Sequence, residues 1–121
     1  MRKSITLTIL VISLSSASLY AANPSFLFDS TPIADFTQED GDMFWNAITT
    51  ALDSKKDGEK LAWKNDKTGN SGLVNPISTY RDGDQECRNL RVINRSKKYI
   101  AESLYKFCKK EDKWVAMELI E

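Results

Sequence analysis

The chain has 121 residues, and its 17 basic and 17 acidic side chains give a formal net charge of zero at pH 7. This balance excludes the strongly basic field that nucleic-acid binding requires, so we predict no nucleic-acid partner. The chain also has no histidine. That absence removes Ser–His and Cys–His nucleophile pairs, the commonest general base and most zinc or transition-metal sites.

Residues 1–21 have the pattern of a secretory signal peptide. Two cations at positions 2 and 3 precede the apolar run Ile5–Leu14, and a stretch of small residues ends at Ala21. The apolar run is too short to span a membrane, and no later segment approaches the roughly 20 apolar residues that a span needs. We therefore expect export to the periplasm, with the outer-membrane surface as a second location. An uncleaved N-terminal anchor is the alternative.

Residues 22–36 contain two prolines and several large apolar residues, but they show no regular period. The segment is too apolar for a free linker. We predict an extended N-terminal arm that docks on a globular domain formed by residues 37–121. An arm that binds a partner is the alternative.

Residues 37–54 are predicted to form the helix of this domain. Thr37 and Asp40 have the spacing of a capping box, and acidic residues crowd the first turn, where the helix dipole favours them. An apolar stripe follows at helical spacing and predicts packing on a sheet. The stripe consists of Phe44, Ala47, Ile48, Ala51 and Leu52. Trp45 lies beside the stripe, at the expected edge of the core.

Five later runs predict strands, separated by residues that favour turns. They are residues 60–65, 73–80, 88–93, 99–107 and 114–120. Pro76 cannot donate a hydrogen bond to a neighbouring strand, so its strand has an edge or a bulge there. The sum is an α+β domain, in which one N-terminal helix packs on a mostly antiparallel five-stranded meander sheet.

The two cysteines flank a symmetrical hairpin. In an antiparallel pair, opposite residues have numbers with a constant sum, and Cys87 opposite Cys108 places the turn within the polar run 94–98. This register makes Arg91 and Glu102 diagonal neighbours of opposite charge. Two cysteines exported into an oxidising compartment normally pair, so we predict a disulfide. Two unrelated buried thiols are the alternative.

A dispersed set of residues carries a family resemblance. The set is Leu52, Gly58, Trp63, Asn65, Thr68, Gly69, Gly72, Val74, Pro76, Tyr80, Gly83, Cys87, Arg88, Cys108 and Trp114. Their order and spacing resemble the C-terminal domain of the 17 kDa outer-membrane surface antigen family of Gram-negative bacteria, over roughly residues 45–116. The resemblance implies residence in the cell envelope and no catalytic activity. This chain has neither the lipidated cysteine nor the glycine zipper of that family, and Glu111-Asp112-Lys113 replaces the usual Asp-Gly. The resemblance therefore concerns the globular domain and not the membrane anchor.

The predicted loop after Trp63 is the candidate binding site, because loops held by a rigid sheet commonly carry recognition. Its candidate residues are Trp63, Lys64, Asn65, Lys67, Thr68 and Asn70. The neighbouring turn Tyr80–Gly83 is expected to contribute. The alternative is that Trp63 belongs to the core and the loop is only a turn.

We expect a non-enzymatic envelope protein that binds an unidentified envelope protein or cell-wall component, without cofactor or metal. The acidic residues Asp82, Asp84 and Glu86 do not make a calcium loop, since the sixth position holds Cys87 and not glycine. The alternative function is a secreted inhibitor or immunity protein that acts on a cell-wall hydrolase. A broad groove or an exposed apolar sheet face would favour binding. A protruding rigid loop with an aromatic or charged plug would favour inhibition.

Overall fold

The computed structural model describes residues 31–121. The predicted signal peptide and residues 22–30 of the predicted arm lie outside this range. The described residues form two helices and five strands. These are α1 (Thr31–Ala34), α2 (Gln38–Ser54), β1 (Leu61–Lys64), β2 (Ser71–Asp82), β3 (Gln85–Arg95), β4 (Ile100–Lys110) and β5 (Lys113–Leu119).

All neighbouring strands are antiparallel, and their order across the sheet is β1-β2-β3-β4-β5. The predicted α+β meander is therefore confirmed. The three middle strands are longer than predicted because the turns that follow β2 and β4 are tight. Gly83 in the first turn and Glu111 and Asp112 in the second have positive φ angles, which two-residue hairpin turns require.

The hairpin of β3 and β4 has the predicted register. Cys87 lies opposite Cys108, and the two are joined by a disulfide with an S–S distance of 2.07 Å. Arg91 Nη1 donates to Glu102 Oε1 at 2.9 Å, as expected for diagonal neighbours. Since side chains alternate along a strand, the disulfide lies on the opposite face of the sheet from Arg88 and the helix.

Pro76 produces the predicted bulge. The pairing of β2 with β3 shifts between Pro76 and Ser78, so that Ile77 has no opposite residue. Because β2 is an inner strand, the bulge accommodates a residue that cannot donate to the ladder. It also returns Thr79 to the helix side of the sheet, opposite Arg88.

Helix α2 covers one face of the sheet. Thr37 is its N-cap, and the capping box with Asp40 is formed in both directions. The predicted apolar stripe is buried and packs against the sheet residues of the same core. Those sheet residues are Trp63, Val74, Leu90, Val92, Tyr105, Phe107, Trp114 and Ala116. Among residues 31–121, no helix is long and apolar enough to cross a membrane.

The last part of the predicted arm differs from the expected extended chain. Residues Thr31–Ala34 form one helical turn, and Ile33 is buried in the core. Phe36 stands edge-on to Trp63, with ring centroids 5.2 Å apart. This aromatic contact and the burial of Ile33 hold the segment against the domain, and the backbone of Phe36 bonds back to Ile33 to close the turn.

Candidate functional site

A buried carboxylate joins the start of α2 to the β1–β2 loop. Asp40 is fully buried, and its two oxygens accept four hydrogen bonds. Oδ1 accepts from Asn65 Nδ2 and Thr68 Oγ1, each at 2.8 Å. Oδ2 accepts from Asn70 Nδ2 at 2.8 Å and from the backbone N–H of Thr37 at 2.9 Å. We call these five residues the Asp40 cluster.

Hydrogen bonding in the Asp40 cluster determines which form of the carboxyl group is stable. Burial alone raises the pKa of Asp40, because it penalises the charged form. The bonds from Asn70, Thr37, Thr68 and Asn65 outweigh that penalty and lower the pKa from 3.8 to about 2. The carboxylate is therefore ionised at neutral pH with its acceptor capacity filled by protein donors.

Trp63 and Gly72 form a second contact under the same loop. They are opposite residues of β1 and β2, and Trp63 is 7% exposed. A Cβ atom on Gly72 would overlap Trp63 Nε1 and would come within 2.9 Å of Asn94 Oδ1. The glycine is thus required for the indole to cross β2. This explains the spacing between the tryptophan and the second glycine of the pattern.

Arg88 joins the C-terminal end of α2 to the sheet, as Asp40 joins its N-terminal end to the β1–β2 loop. Its Nη1 donates to the carbonyl oxygens of Ala51 and Leu52 at 3.2 and 2.8 Å. Its Nη2 donates to Asp57 Oδ1 at 2.9 Å, and its Nε donates to Thr79 at 2.9 Å. The Arg88 guanidinium holds the pKa of Asp57 below its usual value. A guanidinium at a helix C-terminus satisfies free carbonyl oxygens, and the negative end of the helix dipole stabilises its positive charge.

The predicted loop residues separate into internal and exposed groups. Trp63, Asn65 and Asn70 are buried, and Thr68 is half-buried in the Asp40 cluster. Lys64 and Lys67 are exposed and make loose ion pairs with Asp66 and Glu39. Binding by this loop stays a prediction, and Lys64 and Lys67 are the members that a partner could reach. Of the neighbouring turn, Arg81–Gly83 is exposed.

A groove that the sequence did not predict lies between α2 and the β4–β5 hairpin. This open groove has a volume of about 920 Å³, which is within the range of ligand pockets. One wall is the line Trp45, Thr49 and Asp53, spaced one helical turn apart on α2. The other wall is the hairpin segment 109–115, with Gln85 at one end. In the sequence, Trp45 beside the apolar stripe was the one indication of this groove. The facing wall could not be predicted, because Asp53 and Trp114, which meet across the groove, are 61 residues apart.

Polar contacts join the two walls of the groove and cover part of its floor. Trp114 Nε1 donates to Asp53 Oδ1 at 2.8 Å, which ties the hairpin to the helix. Lys109 Nζ lies 5.2 Å from the centroid of the Trp114 ring and 3.7 Å from Glu86 Oε2. Trp114 is only 6% exposed, so the aromatic surface that the groove offers comes mainly from half-buried Trp45, with both signs of charge nearby.

The acidic and sulfur-containing side chains are the candidate metal ligands among the described residues. No group of three or more His, Cys, Asp or Glu side chains within residues 31–121 could hold a metal ion. The buried carboxylate of Asp40 is filled by structural donors, and both cysteines are in the disulfide.

No family model, curated protein or solved structure matches the chain. The resemblance to the surface antigen family therefore rests on the residues quoted for it. The structure gives several of those residues a physical role, because they fasten the helix to the sheet at both of its ends. They are Trp63, Asn65, Thr68, Gly72, Arg88 and Trp114.

Proposed function

We propose that this chain is an exported, non-enzymatic envelope protein of the surface-antigen type, and that it binds an envelope protein in the groove between α2 and the β4–β5 hairpin. The observation that carries the proposal is the groove itself, which has a size and an aromatic lining suited to an anchoring side chain. The signal-peptide pattern and the disulfide support export, and the family resemblance supports envelope residence.

A polypeptide is the ligand that this groove suits best. Strand β5 is an edge of the sheet, and no strand within residues 31–121 pairs with its outer side. An extended segment could add to that edge through backbone hydrogen bonds while one of its side chains enters the groove. Backbone pairing would supply affinity, and the groove beside Trp45 would supply specificity.

The β1–β2 loop gives the inhibitor alternative little support. A plug-type inhibitor needs a protruding loop with a free aromatic or charged residue at its tip. Here the aromatic residue Trp63 is buried in the core, and the carboxylate of Asp40 binds three further loop side chains. We therefore prefer binding in the groove.

Obstruction of the groove tests this proposal. Thr49 is half-buried and lines the groove, whereas its neighbour Thr50 is exposed and is not part of the lining. Thr49→Arg would fill the groove, and Thr50→Arg would add the same side chain to another side of the same helix. Both variants should keep the fold, because neither residue belongs to the core cluster.

The measurement is affinity capture from an envelope extract, with the exported form of each protein as bait. We expect wild type and Thr50→Arg to retain one common partner and Thr49→Arg to lose it. Retention of every partner by Thr49→Arg would contradict binding in the groove. Hydrolase inhibition by the wild-type protein that survives Thr49→Arg would favour the alternative function.

A further inference from the structure

The turn between β3 and β4 projects at the end of the sheet away from the β4–β5 turn. Strand β5 ends opposite Tyr105, so the first residues of β4 extend beyond it toward the turn. The turn is closed in both directions, since Ser96 N donates to Tyr99 O at 2.9 Å and Tyr99 N donates to Ser96 Oγ at 3.2 Å. We call residues 95–100 the β3–β4 tip, and these two bonds fix its backbone at the end of the sheet.

The β3–β4 tip concentrates positive charge. Arg95, Lys97 and Lys98 are all exposed, and the tip contains no acidic residue. None of the three cations makes an ion pair within residues 31–121, whereas Arg91 farther along β3 is paired with Glu102. Their charge is therefore available to an anionic partner.

The same tip exposes apolar surface. Ile100 is 63% exposed and Tyr99 is 48% exposed, and both follow directly after the cations. Leu119 and Ile120 are also exposed, but backbone bonds place Ile120 beside Leu104. That position is four residues, or roughly 13 Å, from Ile100 along the strand. Among the described residues of β4 and β5, Tyr99 and Ile100 are therefore the exposed apolar residues that lie next to the charges.

From this combination we propose that the β3–β4 tip docks on an anionic lipid surface, with Tyr99 and Ile100 at the level of the headgroups and Arg95, Lys97 and Lys98 against the phosphates. Tyrosine and aliphatic residues flanked by cations are the chemistry of membrane interfaces, and long cationic side chains reach the headgroups while neighbouring apolar atoms enter. A turn that projects beyond β5 suits a fluid surface that can deform around it. An acidic protein would instead need a cavity to accept Ile100.

This orientation leaves the groove accessible. Strand β3 runs from Gln85 to Arg95, and the groove includes Gln85 and the β4–β5 turn at the opposite end of the sheet. Eleven residues of strand span roughly 35 Å. With the tip on the membrane, the groove faces away from the lipid, so lipid docking extends the proposed binding function and does not depend on it.

Vesicle binding tests the proposal. The exported form of the protein, with its N-terminus established by mass spectrometry, is incubated with vesicles of phosphatidylcholine alone or of equal parts phosphatidylcholine and phosphatidylglycerol. Bound protein is measured by flotation at low and at high salt. We expect binding only to the anionic vesicles and a strong decrease with salt, because exposed charges are screened.

Two variants and a matched control establish the site. Lys97→Ala with Lys98→Ala should reduce partitioning roughly tenfold or more, given the usual contribution of each cation near an anionic surface. Ile100→Ser should also reduce it while leaving the charge unchanged. The control, Lys55→Ala with Lys56→Ala, removes two charges just after the C-terminus of α2, outside the β3–β4 tip, and should bind like wild type.

Equal binding by the tip variant and the wild type would overturn the proposal, as would binding that needs no anionic lipid. An equal loss in the control variant would also overturn it, because net charge alone would then account for binding. If no vesicle binds and the tip variant instead loses an acidic protein that the wild type captures, the tip is a protein-binding site and the lipid proposal is wrong. None of these outcomes bears on capture through the groove, which Thr49→Arg tests separately.

Discussion

Replacement of Asp40 by asparagine should test the role of the Asp40 cluster with the least change in shape. The wild-type carboxylate accepts four hydrogen bonds at a fully buried position. An asparagine keeps one of the two oxygens, and its NH₂ group, which cannot accept a hydrogen bond, replaces the other oxygen in front of two donors. Two donors then lack an acceptor, one buried and one part-buried, and each costs about 1–3 kcal/mol. We expect Asp40→Asn to lower the free energy of unfolding by roughly 4 kcal/mol at pH 7.

The difference in free energy of unfolding between wild type and Asp40→Asn should also depend on pH, which provides a second test. The pKa of Asp40 is depressed in the folded state, from 3.8 to about 2. Its charged form therefore contributes full stability above pH 3.8 and loses that contribution as the pH falls from 3.8 towards 2. At 1.36 kcal/mol for each pKa unit, the lost contribution is about 2 kcal/mol. The gap between wild type and Asp40→Asn should narrow by this amount in acid.

The assay is urea unfolding of both proteins at a series of pH values from neutral to acid, with the slope compared to verify the same unfolding transition. Asp42→Asn is the control, because Asp42 is exposed on the same helix and its replacement removes the same charge. We expect the control to lie within about 0.5 kcal/mol of wild type. A loss below about 1 kcal/mol for Asp40→Asn, or a gap that does not change with pH, would refute the reasoning.

Three further predictions concern the other fixed points of the fold. Arg88→Lys should lower the free energy of unfolding by about 2–3 kcal/mol, because an ammonium cannot bond the helix carbonyls and the side chains together. Arg91→Lys, on the face of the sheet opposite the helix, should lower it by less than about 0.5 kcal/mol. Thermal unfolding compares the two variants, and equal losses of stability would contradict this role of Arg88. Gly72→Ala should cost about 1–3 kcal/mol from overlap with the indole above it, and an unchanged urea midpoint would show that the strands can separate at no cost. Joint replacement of Cys87 and Cys108 by alanine should cost roughly 3 kcal/mol by loop entropy, and an unchanged thermal midpoint would contradict a stabilising disulfide. The double variant is preferable to a reductant, because both cysteines are buried.

The sequence predicted those parts of the fold that depend on local periodicity. The register of the cysteine hairpin follows from one pair of residues, since a shift by one position would turn every side chain to the other face. The capping box of α2 was readable because Thr37 and Asp40 are three residues apart. The second role of Asp40 was not readable, because its other partners, Asn65, Thr68 and Asn70, lie 25 to 30 residues later.

The same limit explains the result at the candidate site. The loop after Trp63 is rich in polar residues, which suggests an exposed recognition surface. Polar side chains can equally satisfy a buried carboxylate, and only the three-dimensional contacts distinguish the two uses. The groove was missed for a related reason, since its two walls come from α2 and from the β4–β5 hairpin and neither wall alone has a binding pattern.

The most direct test of the whole account compares the affinity of the captured envelope partner for two variants. Lys64→Ala with Lys67→Ala removes the two exposed cations at the end of β1 and in the β1–β2 loop, and Thr49→Arg fills the groove. If the loop mainly fastens the helix and the groove binds, the loop variant should keep the wild-type Kd and Thr49→Arg should weaken binding at least tenfold, or about 1.4 kcal/mol. Loss of affinity in the loop variant with full affinity in Thr49→Arg would contradict the account.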